Sequence, residues 1–141
     1  MQKAPDRLVA SVLCQPVGHN RKSPDAMYNS GREAWAPDLI AQRTDVTMET
    51  CEEYLHALYR VQPDFAYSVS RQFASSCQTP MLIMPDDTPS HSYEAAIDLV
   101  DLAPRAEVTA YPWKDEKEIL ARTVTHVRHF LRTHQPTSEE E

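Results

Sequence analysis

The sequence predicts an α/β fold: a partial parallel sheet of about three strands with flanking helices. Two short apolar runs, Leu8–Cys14 and Met81–Met84, are typical of strands buried inside a parallel sheet. From Pro80 onward, strand and helix patterns alternate at the spacing of βα units, which favours parallel strands joined by right-handed crossovers. The 141 residues, 41% of them hydrophobic and 25% charged, are enough for one domain with a core.

Three helices are predicted between the first two strands. Ser23–Pro24 fits the N-cap and the first position of a helix, which should break near Ser30–Gly31. A second helix follows Asp45 or Thr47, either of which can cap it, and a third spans Asp64–Cys77, where apolar residues recur at four-residue steps. The apolar faces of the first two helices comprise Met27, Trp35, Leu39, Ile40, Cys51, Tyr54, Leu55 and Leu58.

The second half of the chain is predicted to continue as strand, helix, strand and helix. Ser90 or Ser92 caps a helix after the second strand, and Glu107–Tyr111 forms the third strand. The last helix runs over about Glu116–Thr133, with apolar side chains on one face and basic side chains on the other.

Charge and glycine content argue against several function classes. A net charge of −7 without a basic cluster argues against nucleic acid and against an anionic membrane surface as partners. No apolar run reaches the roughly 20 residues that span a bilayer. Only two glycines, Gly18 and Gly31, occur beside eleven prolines, and the sequence contains no P-loop, GxGxxG or GxSxG motif. No cofactor is therefore predicted.

The cysteines indicate a reducing compartment. Cys14, Cys51 and Cys77 are odd in number and contain no CxxC pair, so neither a disulfide framework nor a zinc site is predicted. We expect Cys14 and Cys77 to be buried free thiols. Because the N-terminus also has no hydrophobic stretch of the secretory type, the sequence predicts a cytoplasmic protein.

A family resemblance begins at the second strand. The stretch Pro80–His91, PMLIMPDDTPSH, resembles the late strand and acid loop of α/β-hydrolases. Further similarity to that family lies at residues 4–9, 95–107 and 130–134. The resemblance covers almost the whole chain and implies one domain over residues 1–135. The helices of about residues 20–62 would be the family's lid. Residues 136–141 are polar and acidic, and this composition predicts a disordered tail.

The resemblance implies hydrolysis of an ester or similar acyl bond by a nucleophile, a histidine and an acid. The nucleophile elbow and oxyanion hole would precede Met1, so the chain corresponds to a truncated or half-size hydrolase that is inactive alone. Asp87 is the first candidate for the acid and Asp86 the second; the register is open by one residue, so that Thr88 could stand where some members have their aspartate. Both aspartates can instead be loop formers.

The catalytic histidine is the part of the family's triad that this sequence matches least well. The segment Tyr111–Glu116, which follows the last strand, contains no histidine. His91 is the only histidine near the acid loop, where it could act as a base or contact substrate, or simply cap and pack at a helix start. Asp87 and His91 are four residues apart, but two candidates without a third do not predict a metal site.

A pocket for a small apolar substrate is predicted beneath the lid. Trp35, Tyr54 and Phe65 could line it, although aromatic residues at helical spacing more often belong to the core. The fold could also persist as a non-catalytic binding or interaction module that uses this apolar surface.

The first strand predicts a partner. In the family, the strand that corresponds to Leu8–Cys14 lies beside the nucleophile strand, so without that neighbour it becomes an open edge. It carries no charge or proline to block pairing with another chain. We therefore expect a homo-oligomer, a complex with a complementary N-terminal half, or aggregation.

Overall fold

A computed structural model describes residues 1–136 and contains a sheet of three parallel strands with flanking helices. This confirms the predicted fold class. A 3-10 turn at Pro5–Arg7 precedes the sheet, and a π-helical turn at Gly31–Trp35 joins the first two helices. The strands are β1 Ser11–Cys14, β2 Met81–Met84 and β3 Ala106–Val108; the helices are α1 Ala26–Ser30, α2 Ala36–Gln42, α3 Met48–Tyr59, α4 Arg71–Ser76, α5 Tyr93–Leu102 and α6 Lys117–Thr133. Of the predicted tail, residues 137–141 lie outside the described residues.

The sheet has the order β1–β2–β3. All four residues of the central strand β2 are buried, whereas β1 has a neighbour on one side only and is half-exposed. The strand β1 begins later than predicted because the Leu8 N–H donates to Pro5 O at 3.1 Å and closes the 3-10 turn. Strand β3 is shorter than predicted, although the Thr109 N–H still donates to Ile83 O.

The main core lies on one face of the sheet. Side chains of β2 pack there against α4 and α5, and the apolar residues of these helices complete the cluster. Its buried members are Phe65, Ala74, Cys77, Met81, Ile83, Ala96, Leu99 and Ala103. In residues 1–136, no helix is long and apolar enough to cross a membrane.

Two of the predicted helix caps are confirmed. Thr47 Oγ1 accepts from the Thr50 N–H at 3.2 Å, and Ser92 Oγ accepts from the Ala95 N–H at 3.2 Å, which satisfies donors that a helix start leaves free. The predicted cap at Ser23 is wrong. Helix α1 begins only at Ala26 and has no side-chain cap.

The helix predicted from Asp64 is also wrong over its first half. Phe65 O accepts from the His19 N–H at 2.8 Å, so a long-range bond takes the place of a helical one. Helix α4 starts at Arg71, where Ser70 Oγ accepts from the Phe73 N–H.

All three cysteines are free. Cys77 is buried, as predicted, and so is Cys51. The prediction for Cys14 is wrong: its side chain is exposed, because it is the last residue of an edge strand whose other residues are only partly buried.

A substitution at Gly18 tests the packing between the β1–α1 loop and helix α5. A Cβ atom at Gly18 would lie 2.6 Å from Ala95 Cβ and 3.2 Å from Phe65 O, and neither atom can rotate away. We expect Gly18→Ala to lower the free energy of unfolding by about 1–3 kcal/mol in urea denaturation. The matched variant Gly31→Ala should cost less, because the atom it meets is the rotatable Leu55 Cδ2; equal losses would contradict this packing.

Candidate functional site

Polar side chains follow each of the three parallel strands at the same edge of the sheet. Gln15 comes directly after β1, Asp86 follows β2, and Lys114 lies beyond β3. Ligands of open parallel sheets bind outside the carboxyl ends of the strands. The backbone of Gln15 has φ 52°, a left-handed conformation that is uncommon for a residue with a side chain and often marks a functional position.

Asp86 is the centre of this cluster. Lys114 Nζ donates to Asp86 Oδ2 at 2.6 Å, and Gln15 Nε2 donates to the same oxygen. The Asp87 N–H donates to Asp86 Oδ1 at 3.0 Å. Only 7% of the Asp86 side chain is exposed, and a buried carboxylate needs such partners to remain charged.

The same contacts fix the charge states. The hydrogen bond from Lys114 lowers the pKa of Asp86 below its ordinary value, against the burial that would raise it. That hydrogen bond also raises the pKa of Lys114. Both groups are therefore charged at neutral pH, and the lysine is an ammonium ion that has no lone pair to accept a proton.

His91 is bonded to Thr88 rather than to either aspartate. Thr88 Oγ1 and His91 Nδ1 are 3.0 Å apart, and the His91 N–H also donates to Thr88 Oγ1 at 3.0 Å. The two backbones exchange hydrogen bonds as well, and Asn20 Nδ2 donates to Thr88 O. Thr88 and His91 thus close the loop after β2, and neither side chain hydrogen-bonds to the Asp86 carboxylate.

Asp87 lies on the outer side of the loop. Its side chain is 45% exposed, and its Oδ2 is 3.7 Å from Lys22 Nζ. Both residues line a cavity of about 220 Å³ that also includes Tyr93 and Glu94. The two candidate acids thus differ by one residue in sequence and occupy different environments.

The lysine at the site was not among the sequence candidates. Trp113 Nε1 donates to Pro85 O at 2.8 Å, which holds the segment after β3 against the loop after β2 and places Lys114 beside Asp86. Its position offers a signal in the sequence, because Lys114 stands in the segment after the last strand, where the resemblance to α/β-hydrolases implies a histidine.

The predicted pocket residues divide between two places. Trp35 and Tyr54 face each other in a cavity of about 590 Å³, with ring centroids 5.7 Å apart. Phe65 belongs to the main core, is 2% exposed and does not line this cavity. Phe65 therefore does not share a pocket with Trp35 and Tyr54, which corrects the sequence-based interpretation.

Potential metal ligands are scattered. Among residues 1–136, no group of three or more His, Cys, Asp or Glu side chains could hold a metal ion. Asp87 and His91 do not converge on a third ligand within this part of the chain.

Comparison of the chain with family models, with curated protein sequences and with solved structures finds no match.

Proposed function

We propose that this chain supplies the acid-loop half of an α/β-hydrolase-like site for ester or acyl hydrolysis, and that it does not cleave esters alone. One observation carries the proposal: the buried Asp86 carboxylate at the carboxyl edge of the sheet is held by Lys114 and Gln15. Asp86, rather than the exposed Asp87, is then the acid. The helices of residues 26–59 would correspond to the lid.

The contacts of Asp86 explain why catalysis requires further groups. In a triad, the acid accepts a hydrogen bond from the histidine and fixes its tautomer, and the histidine takes the proton of the nucleophile. Here Asp86 accepts from an ammonium and an amide. His91 Nδ1 is engaged with Thr88. An imidazole and a nucleophile would have to come from polypeptide outside the described residues.

Ester hydrolysis tests the lack of activity. We expect the pure 141-residue chain to cleave p-nitrophenyl butyrate no faster than the heat-denatured chain, and to resist labelling by a fluorophosphonate. Hydrolysis that a serine-directed inhibitor abolishes would contradict the proposal, because it would require an activated serine within the chain.

A substitution at Lys114 tests Asp86 as the acid. In Lys114→His, the introduced imidazole should lie close to the Asp86 carboxylate, which would raise the imidazole pKa by about one unit or more above roughly 6.5. An NMR titration of the imidazole Cε1–H measures this pKa. The double variant Lys114→His/Asp86→Asn should lose the increase, and Lys114→His/Asp87→Asn should keep it. An imidazole pKa that does not respond to Asp86→Asn would rule out the orienting role.

A second candidate function is a non-catalytic ligand-binding module. The cavity beside Trp35 and Tyr54 favours it, because about 590 Å³ lies within the range of small-molecule sites. This function needs no triad and depends on the helices of residues 26–59 rather than on Asp86.

A cytoplasmic location is also part of the proposal. The three free thiols, one of them exposed, suit a reducing compartment. Cell fractionation of a fluorescent fusion should recover the protein with the cytoplasmic fraction, and recovery from a secreted fraction would contradict it.

A further inference from the structure

A groove runs between the first helical turns and α3. The π-helical turn at Gly31–Trp35 forms one wall with α2, and α3 forms the other. Such π turns interrupt regular helices and occur frequently at functional sites. We call this cavity of about 590 Å³ the helical groove; its lining includes Met27, Trp35, Asp38, Tyr54, Leu55 and Tyr59.

Aromatic rings are unusually exposed at this groove. Trp35 is 42% exposed and Tyr54 is 56% exposed, although their rings are tilted against each other at a centroid distance of 5.7 Å. Large apolar side chains exposed together mark binding surfaces. The faces of tryptophan and tyrosine rings carry partial negative charge and attract cations. Arg60 already lies 4.3 Å from the Tyr28 ring in a neighbouring contact of this kind.

Carboxylates outnumber cationic side chains around the groove. Asp38 lines it, and no lysine or arginine of the described residues does. Residues 26–59 contain six carboxylates and two arginines. Both arginines are already paired: Arg32 Nε lies 2.7 Å from a Glu52 oxygen, and Arg43 binds Asp45. The local field therefore favours a positively charged ligand.

We propose that the helical groove binds an amphiphilic organic cation, with an apolar body against the aromatic and leucine side chains and an ammonium head near Asp38. The inference rests on the second proposed function, ligand binding, and is independent of the acid-loop site. A fatty acid of the same length would place its carboxylate near Asp38 and be repelled. A neutral ligand would gain the apolar contacts but not the attraction of the carboxylate and the ring faces.

Three ligands with the same hexyl tail test the charge preference: hexyltrimethylammonium, 1-hexanol and hexanoate. The two indole N–H signals in a ¹H–¹⁵N spectrum, assigned with Trp35→Phe, report binding. Trp35 should shift, while Trp113, whose indole donates to Pro85 O, serves as the internal reference. We expect the cation to bind about three- to tenfold more tightly than hexanol, with hexanoate weakest. The preference should weaken as ionic strength rises.

Two single variants identify the carboxylate that attracts the cation. Asp38→Asn should reduce the affinity for the cation by about threefold or more, leaving only the smaller preference that the ring faces provide, and should leave hexanol binding unchanged. Glu33→Gln removes the same charge outside the groove lining and should change the cation affinity less than twofold. Circular dichroism confirms that each variant is folded.

The outcomes distinguish the preference for a cation from ligand binding itself. Equal affinities for the cation and hexanol would overturn the cation preference and leave ligand binding standing. No shift of Trp35 with any of the three ligands would overturn both. A cation affinity that does not fall in Asp38→Asn would overturn the assignment of Asp38.

Discussion

Asp86→Asn is expected to lower the free energy of unfolding by about 1–3 kcal/mol at neutral pH, because charge-assisted hydrogen bonds to a buried carboxylate are lost. The asparagine keeps one acceptor oxygen but carries no charge to balance Lys114, whose Nζ lies 2.6 Å from Asp86 Oδ2 in the native chain. Urea denaturation followed by circular dichroism measures the change. The control Asp87→Asn removes a neighbouring carboxylate that is 45% exposed and should change stability by less than about 0.5 kcal/mol.

The effect of Asp86 should depend on pH in a defined direction. Because its pKa in the folded chain is lowered, Asp86 contributes stability fully above the unfolded pKa of about 3.9, and loses it as pH falls through the folded pKa. The stability difference between the native chain and Asp86→Asn should therefore be constant between pH 5 and 7 and narrow below about pH 4. A difference that grows on acidification would contradict the ion pair.

Lys114 provides a separate check on the same contact. Lys114→Met should raise the pKa of Asp86, because the lysine hydrogen bond is the main cause of its lowering, and should move acid unfolding to higher pH. In a double-mutant cycle, the losses from Asp86→Asn and Lys114→Met should be smaller together than in sum. Additive losses would show that the two side chains do not interact in solution.

The sequence was sufficient to predict elements whose causes are local. The apolar run Met81–Met84 predicts a buried strand, and β2 is buried at every residue. Thr47 and Ser92 predict helix starts because their side chains satisfy backbone donors only three residues away.

Features that depend on distant contacts were not predictable in the same way. Asp86 and Asp87 are adjacent in sequence, and only the contact of Asp86 with Lys114, 28 residues later, distinguishes the buried carboxylate from the exposed one. The spacing of apolar residues from Asp64 matches a helix. The hydrogen bond from the His19 N–H to Phe65 O takes the place of a helical bond, and the same side chains reach the core from turns. Periodicity reports which side chains are buried, not which backbone conformation buries them.

The outer side of β1 remains available for pairing. The N–H groups of Ser11 and Gln15 donate to Pro80 O and Met84 O of the β2 side, and alternate residues of a parallel strand face alternate neighbours. The backbone N–H and C=O of Val12 and Cys14 therefore face outward.

We accordingly propose that the purified chain self-associates through β1, and we expect light scattering at micromolar concentration to show dimers or larger species. Val12→Pro removes the outward N–H and places a ring against an incoming strand, while the φ of a strand edge remains accessible to proline. This variant should be monomeric. Val12→Thr keeps the N–H and the branched side chain, so it should associate as the native chain does.

The pair of variants separates edge pairing from other causes of association. Exposed apolar side chains such as Val9 and Leu120 could instead hold the copies together without a strand contact. In that case Val12→Pro and Val12→Thr would associate equally, because both variants leave those side chains in place. If the backbone edge is responsible, only Val12→Pro releases monomers, and its far-ultraviolet circular dichroism should match that of Val12→Thr. A native chain that stays monomeric and does not aggregate would contradict pairing through β1 altogether, because an accessible hydrophobic edge at that concentration should find its own copy.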